Sequence, residues 1–148
     1  MKVKIKLLSP TAKVPTYGTG GAACFDLYAD MPEGGVVYVT ETCPVLFKTN
    51  IAVEVPEGHV MLVYSRSGHG FKHGARLANC VGVIDSDYRG EVGVKLTSDG
   101  SLHESLVVKH HDRIAQAMIV PVQQVEFEQV EDLSDTVRGA GGFGSTGA

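Results

Sequence analysis

Asp85 stands where a carboxylate could activate a water molecule. It directly follows the apolar, buried-looking Val83-Ile84, and Tyr88 comes three positions later. A carboxylate held rigidly at a strand end can hold a water molecule, and a tyrosine can offer its ring face to a sugar. Asp-Ser-Asp is also ordinary turn chemistry, so spacing alone leaves a structural role open.

One further segment combines polar groups that suit a phosphate, and another begins a strand. Residues 65–68, Ser-Arg-Ser-Gly, supply hydroxyls, backbone amides and a guanidinium after an apolar run, and could open a short helix. Residues 112–116, Asp-Arg-Ile-Ala-Gln, begin another apolar run. The alternatives are a helix cap with a solvated arginine and an exposed turn with a weak surface ion pair.

Asp26 lies inside the apolar run 22–28. A carboxylate in such a position is unusual unless it is paired or works near a metal ion.

Residues 138–148 form a glycine-rich tail that holds no core. Glycine exposes backbone N–H groups, while Arg138 adds a charge and Phe143 a stacking face. We therefore expect a lid over a phosphorylated, planar ligand. Residues 139–144 match the dinucleotide pattern G-x-G-x-x-G, but only four residues follow, too few for the required helix, and no Walker motif is present.

Short β-type runs punctuated by Gly, Pro, Asn or Asp recur along the chain and predict an all-β sandwich or barrel. The runs cover residues 3–8, 36–39, 45–47, 51–55, 60–64, 81–84, 92–96, 106–108, 115–122 and 125–130. A helical turn or two is expected only near residues 71–73. The 148 residues, 43% of them hydrophobic, suit one core, which predicts a β domain over 1–136 and a flexible tail over 137–148.

Composition limits the partners. Thirteen basic and 17 acidic residues give a net charge of −4, which argues against binding to a nucleic-acid backbone. The three cysteines are expected to be buried free thiols in a reducing compartment. No apolar run reaches transmembrane length, so we expect a cytoplasmic protein without a membrane partner. The six histidines favour surface or supporting roles over metal ligation, because no further ligand lies at matching spacing.

These five segments together resemble the trimeric dUTP pyrophosphatase (dUTPase) family over nearly the whole chain, in the right order. Residues 82–90, Gly-Val-Ile-Asp-Ser-Asp-Tyr-Arg-Gly, and the tail 138–147 are similar to the family's third and fifth signature segments almost letter for letter. Residues 23–27, 66–68 and 112–116 resemble the first, second and fourth. Departures include Ser65, where the family usually has proline, and His69-Gly70, where it has Leu-Ala.

The resemblance implies a jelly-roll-like β-barrel, a homotrimer with active sites shared between subunits, and Mg²⁺-dependent hydrolysis of dUTP to dUMP and pyrophosphate. That reaction would keep uracil out of DNA and supply dUMP for thymidylate synthesis. Asp85 would be the catalytic base, and Asp26 would orient a water on a Mg²⁺ ion held mainly by substrate phosphates. The other implied substrate contacts are Tyr88 under the sugar; Asn79, Gly82 and Val83 at uracil; Arg66, Ser67, Gly68 and Gln116 at phosphates; and Arg138, Phe143, Gly144, Ser145 and Thr146 in the closing tail.

Two rival functions remain at this stage. A dCTP deaminase shares the fold and an Arg-Ser-rich phosphate segment, but its hairpin pattern differs and the intact tail favours dUTPase. A dUTPase-like regulatory protein is the other, although Asp85 and Gln116 argue against a loss of catalysis.

Overall fold

The computed structural model describes residues 1–99, 105–143 and 145. The fold is nearly all β with one short helix, which confirms the predicted all-β class. The strands are β1 (Lys4–Leu7), β2 (Thr16–Tyr17), β3 (Phe25–Tyr28), β4 (Val36–Val39), β5 (Val45–Lys48), β6 (Ile51–Glu54), β7 (His59–Tyr64), β8 (Ala75–Leu77), β9 (Gly82–Ile84), β10 (Gly93–Ser98), β11 (Leu106–Lys109) and β12 (Arg113–Pro121). The helix is α1 (Ser67–His73).

The strands of residues 1–99 and 105–143 pair into four antiparallel sheets. The largest has five strands in the order β2-β3-β12-β7-β9, and a second has the order β5-β10-β8. The other two are the pairs β1-β6 and β11-β4. Most neighbours are distant in sequence, so long-range pairing rather than successive hairpins builds the fold.

Alternation along the strands directs apolar side chains inward. In β10, Val94 and Leu96 are buried while Lys95 faces outward, as the two-residue period of a strand requires. The largest fully buried apolar side chains belong to one core: Leu27, Ile51, Met61, Leu77, Leu96, Ile114, Val39, Val55, Val92, Val94 and Val108. Among the described residues these side chains make up one hydrophobic cluster.

Helix α1 follows β7 and is capped at its C-terminus by Gly74, whose φ of 58° is left-handed. The backbone N–H of Gly74 donates to the carbonyl of Gly70, and glycine accepts this conformation without a Cβ clash. The helix therefore forms in spite of His69-Gly70. No helix in the described part of the chain is long and apolar enough to cross a membrane.

The sequence analysis was wrong about the run 125–130. Within the described residues 122–143 the chain forms no strand, and Phe127 is 92% exposed. The run has the composition of a strand, but among the described residues no strand pairs with it and accepts its hydrogen bonds. Conversely, β2, β3 and β8 were not among the predicted runs.

The expectation of buried thiols is also corrected. All three cysteines are free, but only Cys24 is partly buried, whereas Cys43 and Cys80 are exposed. Burial, followed by the nearby charge of Asp26, raises the pKa of the Cys24 thiol. Cys80 occupies a left-handed turn with φ of 63°, outside the apolar interior.

We predict that Leu96→Ala lowers the free energy of unfolding by about 2–5 kcal/mol, because it leaves a cavity in the core. Leu46→Ala, on the paired strand β5, removes a side chain that is 65% exposed and should cost less than about 1 kcal/mol. Urea unfolding at matched protein concentration measures both. Equal losses would contradict the assignment of Leu96 to the core.

Candidate active site

Strand β12 aligns three of the predicted segments in one row. Gln116 lies opposite Asp26 of β3 on one side and opposite Tyr64 of β7 on the other. Because Ser65 and Arg66 directly follow Tyr64, the first, second and fourth segments meet at one place on the five-stranded sheet.

The Asp26 carboxylate lies between two arginines. Its Oδ1 atom is 3.0 Å from Nε of Arg66, and its Oδ2 atom is 3.4 Å from Nη1 of Arg113. Asp26 is only 8% exposed, and a buried carboxylate needs such partners. Of the two alternatives left open for this carboxylate, pairing and a place near a metal ion, the structure shows pairing, and Arg113 is a partner that the sequence analysis did not name.

A shallow cavity opens beside this ion pair. It has a volume of about 420 Å³ and is lined by Ser65, Arg66, Ser67, Gly70, Phe71, Ala75, Arg76 and Gln116. The Gln116 Nε2 group donates to the Ser65 carbonyl at 2.9 Å, and the Ser65 hydroxyl accepts from the Leu77 N–H at 2.9 Å. These bonds fix the backbone ahead of α1, so the cavity can present a guanidinium and hydroxyls to an anion. The sequence analysis missed Arg76 and Phe71, which carry no motif signal.

His69 lies on α1 near Arg66 and His73. Burial lowers the pKa of its imidazole to about 4, with further contributions from the positive charges of Arg66 and His73. Its Nδ1 atom is buried without a hydrogen-bond partner among the described residues. The ring is therefore neutral at physiological pH.

The turn after β9 organises Asp85 and Tyr88. The Tyr88 N–H donates to the Asp85 carbonyl at 3.2 Å, and its hydroxyl donates to the Glu91 carbonyl at 3.0 Å. A Cβ at Gly90 would overlap the Tyr88 ring, so glycine is required for the ring to lie across the turn. The ring remains 43% exposed and can contact a ligand.

The uracil-reading residues implied by the resemblance lie along β9 and just before it. The Asn79 Nδ2 group donates to the Val81 carbonyl at 3.3 Å, and Gly82 approaches Val63 so closely that a Cβ would lie 3.0 Å from it. Val83 is 60% exposed, so its expected burial was wrong. The reason is that β9 is an edge strand whose outer face is uncovered in the single chain.

Asp85 and the Arg66 cavity lie at opposite ends of the β7-β9 pair. Ile84 of β9 is opposite Met61 of β7, whereas Ser65 follows the other end of β7. At about 3.3 Å per residue, roughly 13 Å of strand separates Met61 from Ser65. One chain therefore does not bring the carboxylate and the phosphate-type groups together.

The tail also lies apart from both groups of residues. Described residues 121–140 are all exposed, and the Arg138 Nε group donates to the Gly141 carbonyl at 2.7 Å within the tail itself. The Phe143 side chain is fully exposed, and Ser145 donates its backbone N–H to Gly142. Gly144 and Thr146 lie outside the described residues.

Comparison with known proteins identifies the family. A family model described as dUTPase matches residues 11–147. The deoxyuridine 5'-triphosphate nucleotidohydrolase of Nautilia profundicola is 47% identical over 147 residues and 99% of both chains, and that of Dinoroseobacter shibae is 47% identical over 137 residues, 90% of this chain and 87% of the relative. The chain belongs to the dUTPase family.

Solved dUTPase structures agree with the fold. A mutant dUTPase of Staphylococcus bacteriophage 80alpha, solved with dUpNHpp, has a TM-score of 0.86 and 29% identity, with 99% of each chain covered. A mutant dUTPase of phage phi11, described with a structural Mg(II) ion, has a TM-score of 0.75 and 26% identity, covering 89% of this chain and 98% of that one. The predicted jelly-roll-like fold is confirmed.

The low pKa of His69 predicts a dependence of stability on pH. The folded-state pKa is about 4 and the ordinary value is 6.5, so between these values the unfolded chain binds more protons than the folded one. Stability should therefore fall as pH drops through this window, by about 1 kcal/mol after allowing for partial solvent screening. Urea unfolding at about pH 7 and about pH 5 measures the loss.

The His69→Gln variant should lose less stability over this interval than the wild type, whereas His59→Gln on β7 should retain the wild-type dependence. Identical pH dependence in His69→Gln and wild type would show that His69 does not carry the effect.

Proposed function

We propose that this dUTPase-family chain hydrolyses dUTP to dUMP and pyrophosphate with Mg²⁺ as cofactor. The observation that carries the proposal is the family match over residues 11–147. It includes Asp85 in an exposed turn that also holds the Tyr88 ring. Relatives across this length are named deoxyuridine 5'-triphosphate nucleotidohydrolases.

Asp85 acts as the general base in this proposal. Its carboxylate takes a proton from the attacking water, and the oxygen of that water forms a new bond to phosphorus as pyrophosphate leaves. Tyr88 packs under the deoxyribose, while Asn79 and the backbone of Gly82 and Val83 read uracil. β9 pairs with β7 rather than in a hairpin with the following β10. In this proposal the backbone of β9 leaves no room for the thymine methyl group, and the cytosine edge reverses the donor and acceptor pattern of uracil.

Arg66, Ser67, Gly68 and Gln116 bind the phosphates. The Gln116 amide already holds the Ser65 carbonyl, and Arg66 is oriented by Asp26, so both groups are positioned before the anion arrives. Fixed donors of this kind stabilise charge as it develops on the leaving pyrophosphate.

The Asp26 carboxylate suits a Mg²⁺ ion that is held mainly by the substrate phosphates. Both Asp26 oxygens already contact arginines, so this carboxylate suits a contact through water better than a direct ligand. Mg²⁺ retains waters and commonly binds one or two carboxylates together with substrate phosphates. When bound, the ion would neutralise charge across the triphosphate.

The active form in this proposal is a homotrimer whose sites are shared between subunits. Two features support association: Asp85 and Arg66 lie at opposite ends of the β7-β9 pair, and apolar surface remains uncovered. A groove of about 460 Å³ is lined by residues such as Val3, Phe25 and Met118, and the arm 122–137 exposes apolar side chains including Phe127 and Leu133. Association would cover both and bring Asp85 of one copy to the cavity of another.

The tail 137–148 closes over the ligand in this proposal, and residues 1–136 form the domain that carries it. Arg138 adds charge and Phe143 stacks on the base, while Gly144, Ser145 and Thr146 supply backbone and hydroxyl donors. The exposure of Arg138 and Phe143 leaves these groups available to a ligand. Cytoplasmic pyrimidine deoxynucleotide metabolism, with dUMP passed to thymidylate synthesis, is the corresponding cellular role.

One assay separates this function from its rivals. Incubation with dUTP, dCTP and Mg²⁺ should release pyrophosphate from dUTP. Deamination of dCTP would instead identify a deaminase, and binding without turnover would identify a regulatory protein. Omission of Mg²⁺ should slow pyrophosphate release.

Asp85→Asn should retain the fold and bind dUTP but lose about 10²–10⁴-fold in kcat, because the amide keeps the shape of the side chain yet cannot accept a proton. Asp87→Asn, two residues away, is the matched control and should turn over normally. Steady-state kinetics with dUTP binding measured in parallel tests this role. Near wild-type turnover in Asp85→Asn would remove the residue from catalysis.

The same variant tests the shared site. Asp85→Asn and Arg66→Ala should each be inactive alone. When the two variants are unfolded and refolded together in equal amounts, subunits assemble at random. About a quarter of the sites should then combine an intact Asp85 from one subunit with an intact Arg66 from another, and about a quarter of wild-type activity should return. Mixtures that stay inactive would place Asp85 and Arg66 on the same subunit.

Truncation after Thr136 should leave a folded trimer with little activity, because the tail adds no core but would complete the lid that excludes water. The arm that exposes Phe127 is retained, so assembly is preserved. Sedimentation and thermal unfolding check assembly and fold, and dUTP turnover checks the lid. Normal turnover would rule out a catalytic role for residues 137–148.

A further inference from the structure

Asp30, His110 and His111 meet where the chain following β3 contacts the turn between β11 and β12. Each offers one ligand-type atom, and these atoms lie within 4.8 Å of one another. None of the three belongs to the proposed nucleotide site.

Only one of the two carboxylate oxygens of Asp30 is hydrogen-bonded within the described residues. Its Oδ2 atom accepts from the Asn50 Nδ2 group at 2.8 Å and from the Ser9 hydroxyl. Its Oδ1 atom is buried and has no hydrogen-bond partner among the described residues, although Asp30 as a whole is only 7% exposed. An unsatisfied buried carboxylate oxygen calls for a ligand.

His110 turns a second acceptor toward Asp30. Its Nδ1 atom accepts from the Met31 N–H at 3.1 Å, so it carries a lone pair, and it lies 3.6 Å from Asp30 Oδ1. Two acceptors at this distance cannot hydrogen-bond to each other. Ligand atoms at about 2.0–2.2 Å from a tetrahedral metal ion lie about 3.4 Å apart, close to the separation seen here.

His111 supplies a third ligand atom, and a hydrogen bond fixes its tautomer. Its Nε2–H donates to the Thr11 carbonyl at 2.7 Å, which leaves the lone pair on Nδ1. Histidine ligands of metals commonly donate their other N–H to a carbonyl or carboxylate. Its ring stacks on His110 with centroids 3.6 Å apart, and its φ of 65° is a conformation that few residues other than glycine adopt.

The backbone holds the three residues in place. The His111 N–H donates to the Ala29 carbonyl at 2.8 Å, the Ala29 N–H to Asp112 at 2.9 Å, and the Asp30 N–H to Lys48 at 2.8 Å. Backbone hydrogen bonds therefore hold the three ligand residues in position, as a metal site requires.

We propose that Asp30, His110 and His111 bind a late first-row divalent metal ion, of which Zn²⁺ is the representative, with water as the fourth ligand. Two imidazole nitrogens and one carboxylate oxygen suit Zn²⁺, whereas Mg²⁺ prefers oxygen ligands. The ion would clip the end of β3 to the β11-β12 turn, replacing the Met31 N–H as partner of His110 Nδ1. This departs from the sequence-based expectation for these two histidines.

The test uses the full-length protein, stripped with a chelator and titrated with Zn²⁺ at neutral pH. We expect saturable binding of one Zn²⁺ per subunit at this site and a rise in Tm of about 8 °C at a hundredfold excess over Kd. The Co²⁺ form should show visible d–d bands without a thiolate charge-transfer band, which separates this site from the free cysteines.

His111→Asn is the decisive variant, because asparagine tolerates positive φ and keeps the turn folded. It should bind Zn²⁺ at least about 100-fold more weakly and lose the Tm rise, as should His110→Gln, while His59→Gln should match the wild type. Wild-type zinc affinity in His111→Asn would overturn the proposal. So would an absence of saturable zinc binding in the wild type, since the cluster would then be a proton-mediated Asp–His pair.

Discussion

Strand β12 pairs with β3 on one side and β7 on the other, and the placement of the candidate site follows from these two registers. Gln116 is the point where both registers meet, with Asp26 and Tyr64 as its neighbours. A shift of one residue in either pair would turn that strand's inward side chains outward. The buried Ile114, Ala115 and Ala117 oppose such a shift, so packing of the core fixes the position of the polar row.

The paired strands also bring the buried Asp26 carboxylate into contact with two arginines. A carboxylate that is 8% exposed is stable only because Arg66 and Arg113 contact it, and loss of either arginine would leave buried charge poorly compensated. The same contact holds the Arg66 side chain at the mouth of the cavity. The two arginines and one aspartate leave a net positive charge there, which favours an anionic ligand although the whole chain carries a charge of −4.

Local patterns predicted most strands, because alternating Val, Leu and Ile runs are directly visible. They failed where tertiary context decides. The run 125–130 finds no strand partner within the part of the chain that the structure describes, and Val83 is exposed because β9 lies at a sheet edge. In the candidate site, the pairing of Asp26 could be expected from a carboxylate in an apolar run. The meeting of Asp30 with His110 could not, since the two residues are 80 positions apart in the sequence. Tertiary contacts such as the Met31–His110 and His111–Ala29 hydrogen bonds bring them together.

The exposed apolar side chains and the separation of Asp85 from the Arg66 cavity are both features of the single chain. The five-stranded sheet ends at β9, and Val83 lies exposed on the outer face of this strand. Asp85 directly follows β9. The proposed base therefore lies at a sheet edge that no other layer of the single chain covers. The arm after β12 leaves the fold with Phe127 and Leu133 exposed. Covering such side chains contributes about 25 cal/mol per Å², and a second copy is a source of matching apolar surface. In the proposed trimer, the contacts that stabilise the assembly would therefore also be those that carry Asp85 to a phosphate cavity, so that catalysis would depend on assembly rather than on the fold of one chain.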